Sequence, residues 1–197
     1  MIYGKIHPVL DRLLIIASGP SGAGLVIPDG LPVMAVNGAI DGLPRADYWF
    51  TLDPSPVNKA RMAAPKPGTS YLCATGVQMA GRIEPHVVFL RRKPGRGLSV
   101  LPDTIYTGNS GFGALQVGVF LGAKRIGLIG IDATDDNYWH GPGKSKSLIN
   151  LPTAFAAALP QLMRKGVEVR VGSIFDKPRL KCFPAMTPSE VIQWLTV

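Results

Sequence analysis

Leu13-Leu14-Ile15-Ile16-Ala17-Ser18-Gly19-Pro20-Ser21-Gly22-Ala23-Gly24 runs from an aliphatic block straight into a loop of small residues. Four large aliphatic side chains in succession leave no polar face. That predicts a strand over 13–17 buried on both sides. The loop places three glycines and two serines in seven positions. Glycine lets the backbone come close to a ligand, and serine adds hydroxyl donors. At the carboxyl end of a first parallel strand, such a loop commonly receives a nucleotide phosphate. It is not the G-x-G-x-x-G dinucleotide fingerprint and lacks the lysine of a P-loop, so the same residues also read as a plain tight turn.

Working outward, further short apolar runs predict strands at 33–36, 46–53, 70–74, 87–90, 125–132 and 167–171. The spacing between Gly38 and Arg45 allows at most one or two helical turns. A short helix is expected over 57–64, ending before Pro65. The stretch 95–107 reads as irregular and mobile. Gly108-Asn109-Ser110-Gly111 opens a helix over 112–121, with Asn109 or Ser110 as N-cap and Phe112, Leu115, Val119 and Phe120 as its apolar stripe. Residues 151–165 are helical with an interruption near Pro160. Thr187-Pro188-Ser189-Glu190 is a capping box that starts a last helix running to Trp194. Strand–loop–helix–strand order argues for parallel pairing. The expected architecture is a single α/β domain over 1–197, Rossmann-like, with a mostly parallel sheet and helices on both faces.

Composition narrows the class. The chain has 197 residues, 46% hydrophobic and 17% charged, which fits one globular domain with a substantial core. No apolar run approaches the roughly 20 residues needed to span a bilayer. The first residues show no leader pattern, because Pro8, Asp11 and Arg12 break any early apolar region. Cys73 and Cys182 are far apart, which fits a reducing compartment, and a cytoplasmic location is the expectation. The net charge of +8 favours an anionic ligand or a polyanion. Basic residues concentrate in Arg91-Arg92-Lys93-Pro94-Gly95-Arg96, a loop after the fifth strand, and in Lys144-Ser145-Lys146. Each cluster is either solvated charge or a phosphate-contacting patch.

Polar residues stand at several predicted strand ends: Ser18 to Ser21, Asn37, Asp53 and Asp132. In an open parallel sheet the carboxyl ends share one edge, so these groups converge on one crevice. The helix after Gly111 starts at the same edge and aims its free N–H groups at any bound anion. Asp132 ends a buried strand and must find a partner. Trp49 and Phe50 read as core, and His7 and His86 as structural.

The combination I-I-A-S-G-P-S at 15–21, A-V-N at 35–37, G-N-S-G at 108–111 and G-I-D at 130–132 resembles the bacterial sialyltransferases that use CMP-sialic acid. It also resembles their wider relatives, among them flagellar-glycosylation accessory proteins, the archaeal 6-hydroxymethylpterin diphosphokinase and small phage proteins. The resemblance spans residues 13–140. It implies a Rossmann-like domain with Ser18, Gly19, Pro20, Ser21 and Asn37 facing the nucleotide. It further implies that Gly108, Asn109, Ser110 and Gly111 hold the donor and that Asp132 lies near ribose or phosphate. A histidine base and assisting tyrosines are expected after the G-I-D strand, where His140 and Tyr138 stand. The first expectation is a glycosyltransferase using a CMP- or UDP-linked sugar, with a base in DNA as one acceptor that the charge would suit. The second is an ATP- and Mg²⁺-dependent phosphoryl or pyrophosphoryl transferase using Asp53, Asp132 and Asp135. The third is a non-catalytic nucleotide- or nucleic-acid-binding protein. His140, Tyr138 with Trp139, and Asp53 read equally as a loop histidine, loop anchors and a turn former.

Overall fold

The computed structural model describes residues 9–75, 86–101, 103–143 and 150–197. His7 and the cluster at 144–146 lie outside them. Among the described residues nine strands form one parallel sheet: β1 (Arg12–Ile16), β2 (Val33–Val36), β3 (Tyr48–Thr51), β4 (Ser70–Thr75), β5 (Val87–Lys93), β6 (Thr104–Tyr106), β7 (Arg125–Ile129), β8 (Glu168–Gly172) and β9 (Ala185–Met186). Their order is β6-β5-β4-β3-β2-β1-β7-β8-β9, and every pairing is parallel. The chain therefore steps outward from β1 to one edge, returns to the centre, and steps outward to the other edge. The reversal falls between β1 and β7, which pair in register from Arg12 opposite Arg125 to Ile16 opposite Ile129.

Five helices among the described residues accompany the sheet: α1 (Ala39–Gly42), α2 (Pro56–Ala63), α3 (Ser110–Phe120), α4 (Leu151–Arg164) and α5 (Pro188–Thr196). The aliphatic block of β1 splits by alternation into two cores. Leu13 and Ile15 join Phe112, Leu115, Phe155 and Leu162 of α3 and α4 on one face. Leu14 and Ile16 join Ile40, Met62, Val191 and Leu195 of α1, α2 and α5 on the other. Right-handed crossovers require α1 and α2 on one face and α3 and α4 on the other, because the direction of travel reverses at the switch, while α5 follows the last strand and makes no crossover. The Rossmann-like α/β expectation is met, and helices cover both faces.

Several local expectations are corrected. The third strand is Tyr48–Thr51, shorter than 46–53, and just past its end the Asp53 amide turns back to the Thr51 hydroxyl (3.0 Å). Arg91, Arg92 and Lys93 belong to β5 rather than to a loop, because they pair with Thr104, Ile105 and Tyr106 of β6. The stretch 95–107 thus contains a strand, and Leu98 and Ser99 within it are pinned by side chains of two helices. Gln161 brackets Leu98, accepting from its N–H (2.7 Å) and donating to its carbonyl (3.0 Å). Buried Gln116 of α3 accepts from Ser99 and Tyr106 amides. α3 carries no narrow stripe: every residue from Gly111 to Gly118 is buried, because the helix lies between the sheet and α4. α4 runs through Pro160 without a break, held by buried Phe155, Ala158 and Leu162. β9 has only two residues, too short to leave a periodic signal.

Candidate active site at the switch point

β1 ends in Ala17-Ser18-Gly19 and β7 in Gly130-Ile131-Asp132. The two ends are tied by Ala17 N–H to the Ile129 carbonyl (2.9 Å) and Gly19 N–H to the Gly130 carbonyl (2.8 Å). Gly130 has φ +72°, and a Cβ there would stand 2.5 Å from the Ala17 carbonyl oxygen, so only glycine fits this crossing. Just beyond lies a cavity of about 300 Å³ whose wall includes Ser18, Gly19, Asn37, Gly108 to Gly111, Asp132 and Tyr138. Four separated segments of sequence thus meet at the place where open α/β sheets bind ligands.

Asn37 stands at the end of β2 with φ 52°, a left-handed conformation that asparagine tolerates better than most residues. Its backbone is fixed by Phe50 and by the Trp49 indole, which donates to its carbonyl (2.7 Å). Its Oδ1 accepts from the Thr51 hydroxyl (2.7 Å), and Thr51 in turn accepts from Asn58 Nδ2 (3.0 Å). The Asn37 side-chain oxygen is therefore committed, and its amide nitrogen is the group offered to the cavity. Ala133, also on the wall, has φ 55°, a conformation costing roughly 1–2 kcal/mol in an alanine.

α3 begins on the opposite wall. Asn109 is its N-cap, accepting from the Phe112 amide (3.1 Å). Ser110 Oγ accepts from Leu52 N–H at 3.4 Å, which ties the helix start to the end of β3. The amides of Ser110 and Gly111 make no hydrogen bond among the described residues, and both residues line the cavity. Two free donors at a positive helix end suit an anion.

Asp132 is 7% exposed and finds its partner in Ser21: the hydroxyl donates to Oδ1 (2.6 Å) and the amide to Oδ2 (3.0 Å). Burial pushes its carboxyl above the usual range, the two Ser21 bonds pull it back, and nearby Asp136 pushes it up again. Ser21 is thus a support beneath the wall. Its hydroxyl also accepts from Ile174 N–H (3.1 Å), which draws in the loop after β8. Pro20 opens the single 3-10 turn Pro20–Gly22 and does not line the cavity.

The loop after β7 folds back on β1. The Trp139 indole donates to the Ala17 carbonyl (2.8 Å), so Trp139 is an anchor, while Tyr138 lines the cavity. His140 is stacked on Tyr138 (5.4 Å between ring centres, 17° between planes) and stands edge-on to Trp139. Its Nε2 lies 2.9 Å from Ser18 Oγ. His140 therefore sits one hydrogen bond behind the cavity, reached through Ser18, and is not itself on the wall. Gly38 lets the ring approach: a Cβ there would be 2.6 Å from His140 Cε1. Burial lowers the imidazole pKa, Asp41 raises it, and Arg61 lowers it again. Arg61 and Asp41 neutralise each other in an ion pair (2.5 Å), so the net result is an imidazole held neutral around pH 7.

Asp53 departs from the expectation. Its carboxylate is exposed and off the cavity wall, and its backbone closes a turn with Thr51 and Asn58. Asp135 is exposed as well and does not line the cavity, so of Asp53, Asp132 and Asp135 only Asp132 reaches it. No group of three or more His, Cys, Asp or Glu side chains forms a metal-holding set among the described residues. His86 is exposed and its Nε2 lies 2.7 Å from the Met62 carbonyl. Both cysteines are free; burial, and then Asp53, push the Cys73 thiol up to about 11. The supporting pair Thr51 and Asn58 escaped the sequence reading, because neither stands in a motif.

The fold and site define a doubly wound Rossmann-like domain with an open cleft at its switch point. No family model matches the chain, and no curated protein or solved structure matches it. None of the described helices is long and apolar enough to cross a membrane.

Proposed function

We propose that the chain is a glycosyltransferase that moves a sugar from a nucleotide-activated donor to a hydroxyl acceptor. The observation that carries this reading is the meeting of Ser18, Asn37, Asp132 and the free amides of α3 around one cavity. The resemblance to the CMP-dependent sialyltransferases points the same way. In this reading the Ser110 and Gly111 amides hold the donor phosphate, and Asn37 Nδ2 meets the nucleotide or its phosphate. Tyr138 stands beside the leaving phosphate.

The proton path follows from the distance between His140 and Ser18. The acceptor hydroxyl gives its proton to Ser18 Oγ as Ser18 gives its own to neutral His140 Nε2. The acceptor oxygen bonds to the anomeric carbon, and the bond from that carbon to the phosphate oxygen breaks. The nucleotide leaves with the electron pair, and the α3 amides stabilise the developing negative charge.

A thermal-shift panel of CMP, UDP, their sugar conjugates and ATP, with and without Mg²⁺, tests this. Stabilisation by CMP or UDP compounds is expected. Stabilisation by ATP with Mg²⁺ alone would favour phosphoryl transfer instead. No stabilisation by any nucleotide would leave an accessory binding role. Once a donor is known, His140→Ala is expected to cut turnover about 10²–10⁴-fold with donor affinity kept. Full turnover in that variant would remove His140 as the base.

A further inference from the structure

A second cavity, about 720 Å³, opens beyond Gly108 at the carboxyl ends of β3, β4 and β5. Gly108 lines both cavities. The second differs in chemistry from the first. Leu52, Pro54 and Pro94 give it an apolar wall, Arg92 and Lys93 give it charge, and among the described residues no carboxylate lines it. Arg92 is fixed at the junction: its Nε donates to the Thr107 carbonyl (2.9 Å), and its Nη2 would lie 3.5 Å from a Cβ on Gly108. Among the described residues Arg91, Arg92, Lys93 and Arg96 form no ion pair. Uncompensated cations close together repel one another, yet Arg92 and Lys93, both held in β5 by pairing with β6, line the same cavity.

We infer that this second cavity is the acceptor site and that it takes a phosphate-bearing acceptor, with Arg92 and Lys93 on the phosphate and the proline-lined wall against the acceptor's flat or apolar body. The acceptor role rests on the donor reading of the first cavity; the phosphate site does not. A guanidinium anchored through Nε presents its terminal nitrogens as a preset pair of donors, which suits a phosphate better than a mobile ammonium does. The shared boundary at Gly108 brings an acceptor bound there next to the donor. The phosphate can belong to a free nucleotide or to a nucleic-acid strand.

Two probes separate those sources: thymidine 5′-monophosphate by calorimetry, and a short fluorescein-labelled single-stranded DNA by anisotropy at fixed salt. Arg92→Ala and Lys93→Ala are each expected to weaken phosphate-probe binding about tenfold, a typical effect for a charge-assisted contact. CMP binding at the first cavity, read from the amide shifts of Ser18 and Gly111, should keep its affinity within about twofold, and Asn37→Ala should weaken that binding while the Arg92-dependent binding stays. Arg92-dependent binding of the mononucleotide identifies a small phosphorylated acceptor. Arg92-dependent binding of the DNA alone identifies a strand. Phosphate-probe affinity that ignores Arg92 and Lys93, or that falls with Asn37→Ala instead, overturns the second site. If CMP and its sugar conjugates leave the first-cavity amides of Ser18 and Gly111 unmoved while the phosphate probes keep their Arg92 dependence, the donor reading and the acceptor role fail and the phosphate site stands. Arg92→Lys keeps the charge and removes the Nε anchor, so an intermediate affinity is expected, and circular dichroism on each variant verifies folding.

Discussion

Asp132 and Ser21 show how a residue on the cavity wall is held in place by one that does not line it. Ser21 gives Asp132 two hydrogen bonds and receives one from Ile174. Ser21→Ala removes one buried bond to a carboxylate and leaves the Ile174 amide unpartnered. The expected loss is about 1–3 kcal/mol in urea unfolding, with the Asp132 pKa rising further. Opposite pH dependences belong to His140 and Asp132. His140 has a depressed pKa in the folded state, so its contribution to stability is whole above about pH 6.5 and is lost as pH falls from there through the depressed value. Asp132 has a raised pKa, so its contribution is whole below about pH 3.8 and is lost as pH rises through the raised value. For catalysis the consequence is simple. With neutral His140 as the base, the acidic limb of kcat/KM should lie below pH 6.5, and activity should be flat through neutrality. A limb centred above pH 7 would point to a different base.

At the scale of elements, the legible parts were those with strong local chemistry. The aliphatic block at 13–16 fixed the central strand, because no other packing hides four large side chains. The capping box at Thr187 and Glu190 is formed in full, with mutual side-chain and backbone bonds. Gly38 to Arg45 holds a single helical turn, as its length demanded. The illegible parts depend on distant partners. β6 exists because Arg91 to Lys93 offer it an edge, and the sequence between 95 and 107 does not announce that. The bends around Leu98 and Ser99 are imposed by Gln161 and Gln116, one from each of two helices. In the site, Ser18, Asn37, Asp132 and the start of α3 were readable because polar residues ended apolar runs. Asp53 also ended one, yet its carboxylate turned outward once Thr51 and Asn58 took its backbone. The glutamine clamp is open to test. Gln161→Ala is expected to cost about 1–3 kcal/mol and to speed hydrogen exchange at the Leu98 amide. Unchanged exchange there would show that the clamp contributes nothing.

For the molecule as a whole, one reversal of strand order decides where chemistry can happen. Because the sheet winds outward twice from β1 and β7, the connections that follow their carboxyl ends leave in opposite directions and open a crevice, and no other pair of neighbouring strands in the sheet does so. α3 crosses back from the edge to this centre, which is why its free amides arrive opposite β1. The basic residues of β5 reach the same sheet edge one cavity further on. The central claim is that a nucleotide sits between β1 and β7, and amide NMR during a CMP titration tests it directly. Concerted shifts at Ser18, Gly19, Asn37, Ser110, Gly111 and Asp132, with the amides of α5 unmoved, are the predicted result. Saturating CMP that leaves those six amides in place, or moves only residues elsewhere, would contradict it.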